Sequence, residues 1–311
     1  MLLLLSALLL VAVLGYLTQI TGLCLVRGVR EWSQGRPEVL ISILCCGVLA
    51  WVVASIAPYV SATIPFLVFE PGPGFALGGL MFGLGTAFNQ GCSISTLSRL
   101  ASGELKMLTT PVGWVAGWFT LTWWQPELDV TALPGPDSLH FAILFTVSCG
   151  IAVRALRGDR SRQKLWFGMM GIGLLSGLLF LYEPGWSPGS LMQEQIAAAL
   201  NSAGHPPPPL SRYALVLALL IGMSLGARRL KKLQLRATTA GPLLLHLLAG
   251  TLMGVGAALA MGGNDSQLLL ALPAFSPAGF LTVGCILAGI RLGQFILDVH
   301  RKMGSPEVGR R

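Results

Sequence analysis

Apolar residues fill this chain in long blocks separated by short polar or basic stretches. Hydropathy places spans near 1–26, 38–57, 74–91, 110–124, 138–154, 165–182, 211–227, 242–262 and 277–298, about nine crossings in all. The opening MLLLLSALLL has no basic leader and no small-residue cleavage site, so it reads as a retained first span. The pattern breaks at Gly83–Leu97, GLGTAFNQGCSISTL, where a glycine-rich apolar helix gives way to Asn89, Gln90, Gly91, Cys92, Ser93, Ser95 and Thr96. A bilayer interior accepts irregular polar backbone only where protein buries it or it lines a cavity. The break therefore predicts a pathway.

A related break follows in GVGAALAMGGNDSQL at 254–268. At an offset of 171 residues, Gly83, Gly85, Ala87, Gly91, Ser95 and Leu97 fall on Gly254, Gly256, Ala258, Gly262, Ser266 and Leu268. The same register puts Gly79 on Gly250 and Gly113 on Gly284. Interrupted spans at matching positions of two halves point to a transporter's binding site. Small-x-x-x-small pairs such as Gly79 with Gly83, Gly113 with Gly117 and Gly250 with Gly254 suit close helix packing.

Composition removes other classes. With 53% hydrophobic and 11% charged residues, the chain is too apolar for a soluble globule. Its net charge of +8 comes from short runs between spans, which is juxtamembrane positioning and not a nucleic-acid surface. The six cysteines mostly lie in apolar spans with no paired C-x-x-C spacing, and adjacent Cys45 and Cys46 read as small apolar filler. No metal or cofactor is expected, and transport is expected in place of catalysis.

Charge sets the expected orientation. Arg27, Arg30 and Arg36; Arg154, Arg157, Arg160, Arg162 and Lys164; Arg228, Arg229, Lys231, Lys232 and Arg236; and Arg301, Lys302, Arg310 and Arg311 all fall on one side if the crossings number about nine. Glu70, Glu127, Asp129, Asp137, Glu183 and Glu194 fall on the other. The positive-inside rule then predicts an external N-terminus and a cytoplasmic C-terminus. The two motif spans run in opposite directions, so the expectation is an all-α integral membrane protein of two inverted repeats with half-helices at the midplane. It is a single domain over 1–311, with pseudo-repeats near 1–154 and 165–300, an external loop at 183–210 and a cytoplasmic tail at 299–311. The external loop predicts a short surface helix in SLMQEQIAAAL and a stiff extended link at HPPPP. His205 is read as solvated surface, and His140 and His246 as packing or hydrogen-bonding residues.

The candidate chemistry lies at the breaks. After Gly91 and Cys92, Ser93, Ser95 and Thr96 can cap a short helix running toward Leu105, and a half-helix beginning in the membrane points free N–H groups and a positive dipole end inward, which favours an anion. Asn264, Asp265 and Ser266 offer the same capping from the opposite direction. Cys24 sits at the inner end of the first span, after Gln19 and before Arg27 and Arg30. Arg99 and Arg291 are candidates for drawing anions toward the inner mouth, or for ordinary snorkelling. A mobile anion needs favourable but weak sites. A thiol in apolar surroundings stays protonated and can donate a weak S–H bond, helped here by Asn89, Gln90, Ser93 and Asn264. For Asp265, helix capping is favoured over protonation or a proton-coupling role.

The segments GYLTQITGLCLVRGVREW, the glycine stretch ending QGCSISTL, and GAALAMGGNDSQLLLALPAFSP together resemble the motifs of the YeeE/YedE membrane family, and the resemblance covers essentially the whole chain. It implies uptake of an inorganic sulfur anion, best represented by thiosulfate, across a bacterial inner membrane through a constriction where cysteine thiols pass the ion along. Cys24 and Cys92 are the thiol positions by carry-over, and a small cytoplasmic TusA-like sulfurtransferase is an expected companion. Members of the thiosulfate type have a third pathway cysteine; at the repeated motif this chain has Gly263, Asn264 and Asp265 instead, and only Cys285 in TVGCILAGI remains available. Alternatives are a membrane sulfur relay through a cysteine persulfide, a non-catalytic membrane partner of a sulfurtransferase, and transport of sulfite, sulfide or a selenium species.

Overall fold

The computed structural model describes residues 2–124, 130–200, 206–236 and 239–304. Glu127, Asp129, His205, Arg310 and Arg311, used above for charge and surface assignments, lie outside the described residues, as does the tail beyond 304. Among the described residues there are helices and no strands, with isolated bridges only at Phe69–Ala132 and Glu104–Arg236.

Seven helical stretches are long and apolar enough to cross a membrane. They are α1 (Leu2–Thr21) with its continuation α2 (Leu25–Ser33), α3 (Glu38–Leu44) with α4 (Ala50–Ile56), α8 (Ser138–Leu156), α9 (Arg160–Tyr182), α11 (Leu210–Arg229), α12 (Ala240–Leu259) and α14 (Pro277–Gly304). The spans expected near 74–91 and 110–124 are α5 (Pro73–Phe88) and α7 (Thr109–Trp124), of 16 residues each. Such a helix is about 24 Å long, short of a hydrocarbon core of about 30 Å. The remaining helices, α6 (Ser93–Ala101), α10 (Pro188–Ala199) and the single turn α13 (Asn264–Ser266), follow chain breaks.

Glycines set how these helices pack. A Cβ on Gly79 would collide with the Thr282 carbonyl, and one on Gly83 with the Ile286 carbonyl, so α5 and α14 lie backbone to backbone in the same direction. Gly250 meets Thr110 and Gly254 meets Trp114, which pairs α12 with α7 in the same way. Between these pairs α5 and α12 run antiparallel, Gly78 against Gly256 and Gly85 against Ala249. A second layer repeats the plan. α1 runs with α11 through Gly15, Gly222 and Gly226, and against α9 where Gly168 meets Thr21 and Gly171 meets Leu17; α9 runs with α3 and α4 through Gly173 at Cys46 and Gly177 at Val53. In lipid such contacts are driven by dispersion and not by water release, which is why the backbones must come so close.

The two halves are an inverted repeat: α1, α3–α4, α5 and α7 correspond to α9, α11, α12 and α14, and α8 links them without a counterpart. The 171-residue register holds through the second break and then shifts by one. Gly79 packs on Thr282 as Gly250 packs on Thr110, and Gly83 on Ile286 as Gly254 on Trp114, so the last helices correspond at an offset of 172. The expected match of Gly113 with Gly284 is therefore corrected to Gly113 with Cys285, and Gly284 has nothing near its Cβ position. A π-helical turn at Gln267–Ala271 lies inside the interval where the shift arises. That conformation absorbs one extra residue into a helix.

Candidate functional site

Each half contributes two chain breaks to the centre of the molecule. α5 ends on a left-handed residue, Gln90 (φ 56°), with Gly91 N–H bonded to Thr86 O at 3.0 Å. α12 ends identically on Met261 (φ 55°), with Gly262 N–H bonded to Ala257 O at 2.8 Å. Both are Schellman-type ends, and both place an ordinary side chain where glycine is favoured, at a cost on the order of 1 kcal/mol. Cys92 and Gly263 then stand at equivalent N-cap positions of α6 and α13. The other breaks follow the first helix of each half: α1 stops at Gly22 (φ 66°) and Cys24 is the N-cap of α2, while α9 stops near Gly185 (φ 67°) and Ser187 is the N-cap of α10. Four short helices thus start near one another, α2 and α6 from one half, α10 and α13 from the other.

Cys92 is fully buried, and the Cys24 thiol lies beside it; Ser95 borders both, its hydroxyl 3.4 Å from the Cys92 sulfur. Neither cysteine is in a disulfide. Ser93 donates to Asn264 Oδ1 at 2.5 Å, so two residues related by the repeat bond to each other across its pseudo-twofold axis. Asp265, half-buried, lies against Ser187 and the backbone N–H groups of Asp265 and Ser266. It is the second residue of α13 and not its N-cap, which is Gly263. Ser95 and Thr96 were expected to cap α6. Instead both hydroxyls fold back to Cys92 O, at 3.1 and 2.9 Å, and no side chain caps the helix.

Two recesses approach this layer. On the arginine-rich face a cavity of about 360 Å³ is lined by Cys24, Gln90, Arg27, Arg30, Arg36 and Arg99. On the opposite face one of about 200 Å³ is lined by Ser93, Trp114, Ser187, Met261, Gly263 and Asp265. Neither is lined by Cys92, which stands between Cys24 of the first and its own neighbour Ser93 of the second. The waist is closed. Arg99 reaches Gln90 O at 3.3 Å and Glu104 at 2.7 Å. Burial pushes the Glu104 carboxyl up, but Arg99, Lys106 and Arg236 outweigh it and hold the group below the usual carboxylate range. Arg291 is exposed on α14 and lines neither recess.

Asn89 is committed elsewhere. Its amide donates to Gly91 O (2.8 Å) and Thr96 Oγ1 (2.7 Å), while its carbonyl accepts from Thr110 Oγ1 (2.7 Å) and contacts His246 Nδ1 (2.9 Å). Every hydrogen-bonding capacity is used, so Asn89 holds the break together and has no donor left for a passing ion. His140 is likewise a hydrogen-bonding residue, closing a capping box with Asp137. Cys285 packs beside Gly79 at the α5–α14 contact and lines neither recess. The sequence reading missed Ser187. The loop assigned to 183–210 hides it, because α10 turns one face inward, with Pro188, Leu191 and Ile196 buried, and leaves Gln193 and Gln195 exposed on the other. The signal available was SPGS, a serine N-cap before a first-turn proline.

No curated protein matches the chain. A family model described as sulphur transport matches residues 20–158 and 153–292. Two matches that together run across both halves, on an all-helical inverted repeat with opposed half-helices at its centre, place this chain in the sulphur-transport (YeeE/YedE) family of membrane proteins.

Proposed function

We propose that the chain carries a small inorganic sulfur anion, thiosulfate before others, between the two recesses by way of the Cys24–Cys92 pair. The observation that supports this most directly is the position of Cys92, wholly buried between two opposed recesses and in contact with a second thiol. An anion leaving water here meets neutral donors, two sulfhydryls and the Asn264 amide N–H2, while the Ser93 hydroxyl is held by Asn264 Oδ1 and Ser187 lies against Asp265. Such donors replace part of a hydration shell and release the ion again, whereas a fixed cation in the waist would retain it. The arginines instead line the recess on one face, where they raise the local anion concentration without binding it at the waist. In this reading α5 and α7 complete nine crossings, the arginine-rich face is cytoplasmic, and the membrane is the bacterial inner one.

Labelled-thiosulfate uptake into proteoliposomes containing only this chain tests the proposal. Cys92→Ala should reduce uptake to that of empty vesicles while the protein remains folded and inserted; undiminished uptake would end it. Cys24→Ala removes one weak donor and should lower uptake about fivefold. Contact between two thiols also favours one alternative, a relay in which a cysteine sulfur attacks the sulfane sulfur of thiosulfate, the S–S bond breaks and sulfite leaves. Mass spectrometry after thiosulfate exposure distinguishes the two, since only the relay adds one sulfur atom to Cys24 or Cys92.

A further inference from the structure

A large cavity lies apart from the waist, at the arginine-rich end of α1, α9 and α11, under the turn between α2 and α3. Its volume is about 1120 Å³. Its lining divides in two. Leu17, Ile20 and Phe167 form an apolar part, with Ile20 38% and Phe167 41% exposed, while Arg36, Lys164 and Arg229 lie around the rest. Glu31 and Glu38 also line it, but they are committed, Glu31 to Arg27 at 2.7 Å and Glu38 to Arg162 at 2.5 Å and Arg154 at 3.8 Å. Arg36 donates to Gln34. Among the described residues Lys164 and Arg229 have no acidic partner.

Position identifies the ligand class. Lys164 is in the first turns of α9 and Arg229 is the last residue of α11, so both mark the level at which apolar spans end. The apolar part continues onto exposed side chains farther along the same helices, Leu9 and Val13 on α1 and Leu225 on α11. A free ion would satisfy the cations and leave the apolar wall bare, whereas a diacyl phosphodiester answers both parts of the lining at once. We propose that this groove is a binding site for one anionic phospholipid, its phosphate held by Lys164 and Arg229 and its acyl chains laid along α1 and α11. The site stands independently of what crosses the waist. Arg27 lines both this groove and the recess that contains Cys24, so the bound headgroup lies next to the mouth of the pathway.

Native mass spectrometry of the full chain in detergent tests the site, with equimolar phosphatidylglycerol and phosphatidylcholine of identical acyl chains. The expected result is one retained phosphatidylglycerol, reduced on the order of tenfold in the K164Q/R229Q double variant and restored in K164R/R229K. Thermal unfolding of all three forms establishes that the loss is not a folding defect. Equal retention of the two lipids, or equal retention of phosphatidylglycerol by wild type and K164Q/R229Q, overturns the proposal. Displacement of the lipid by millimolar inorganic phosphate also overturns it, since that would make the groove a free-anion site.

Discussion

The two breaks at the centre share a backbone and differ in chemistry. After α5, Asn89 links four partners; at the equivalent place after α12 stands Ala260, which links none with its side chain. Gln267, at the position of Thr96, compensates by donating to Ala260 O at 2.8 Å. The losses are visible around it. Thr282 corresponds to Thr110, whose hydroxyl bonds to Asn89, but the Thr282 hydroxyl is buried with no partner. Phe75 corresponds to His246. A thiol at the first N-cap is a bare backbone, Gly263, at the second, and Cys24 is answered by Ser187. The comparison teaches that the inverted repeat conserves the places where helices stop and leaves each half free to choose what is displayed there.

Substitutions can break this comparison, beginning with the largest effect. Asn89→Ala imitates the second half without its compensating glutamine and leaves several buried groups unpaired, each costing about 1–3 kcal/mol. The protein should lose several kcal/mol in thermal or denaturant unfolding, and an unchanged stability would mean that the network is dispensable. Next come the glycines that define the register. Gly83→Ala forces a methyl into the Ile286 carbonyl and should cost about 1–3 kcal/mol, whereas Gly284→Ala meets nothing and should change stability by no more than about 0.5 kcal/mol. The reverse ranking would restore Gly284 as the partner of Gly113. The smallest effect separates two threonines. Thr282→Val removes an unpaired buried hydroxyl and should stabilise by up to about 1 kcal/mol, while Thr110→Val deprives Asn89 of a donor and should destabilise by a similar amount. Parallel unfolding curves of the two variants decide it.

Much of this was legible in the sequence, and the remainder was hidden for physical reasons. The long spans and the break at Asn89–Ser93 stand out because polar residues inside an apolar block are costly. The second break is legible from its register with the first, in which Ala258, Ser266 and Leu268 match as well as the glycines, and from Asn264 and Asp265. α2 escaped notice because LVRGVREWS, half apolar and half charged, looks like the end of a span followed by a basic loop, although its N-cap Cys24 lies at the waist. α10 escaped for the complementary reason: PGSLMQEQIAAA is polar enough for a surface, and only its packing reveals a buried face. Asn89 illustrates a further limit. Residue type marks a polar group in the membrane, but whether it faces a pathway or is consumed by neighbours depends on contacts distant in the chain, here Thr110 and His246.

The bond between Ser93 and Asn264, residues exchanged by the repeat, has a wider consequence. Turned upside down in its bilayer, the molecule would keep nearly the same silhouette, with one funnel above and one below. What would change most is the chemistry at each mouth: Cys24 and the guanidinium-rich recess would open to the other compartment. Polarity in this device is thus written chiefly in side chains, and in the framework it shows only where the halves differ, at unmatched α8 and at the π-turn after α13.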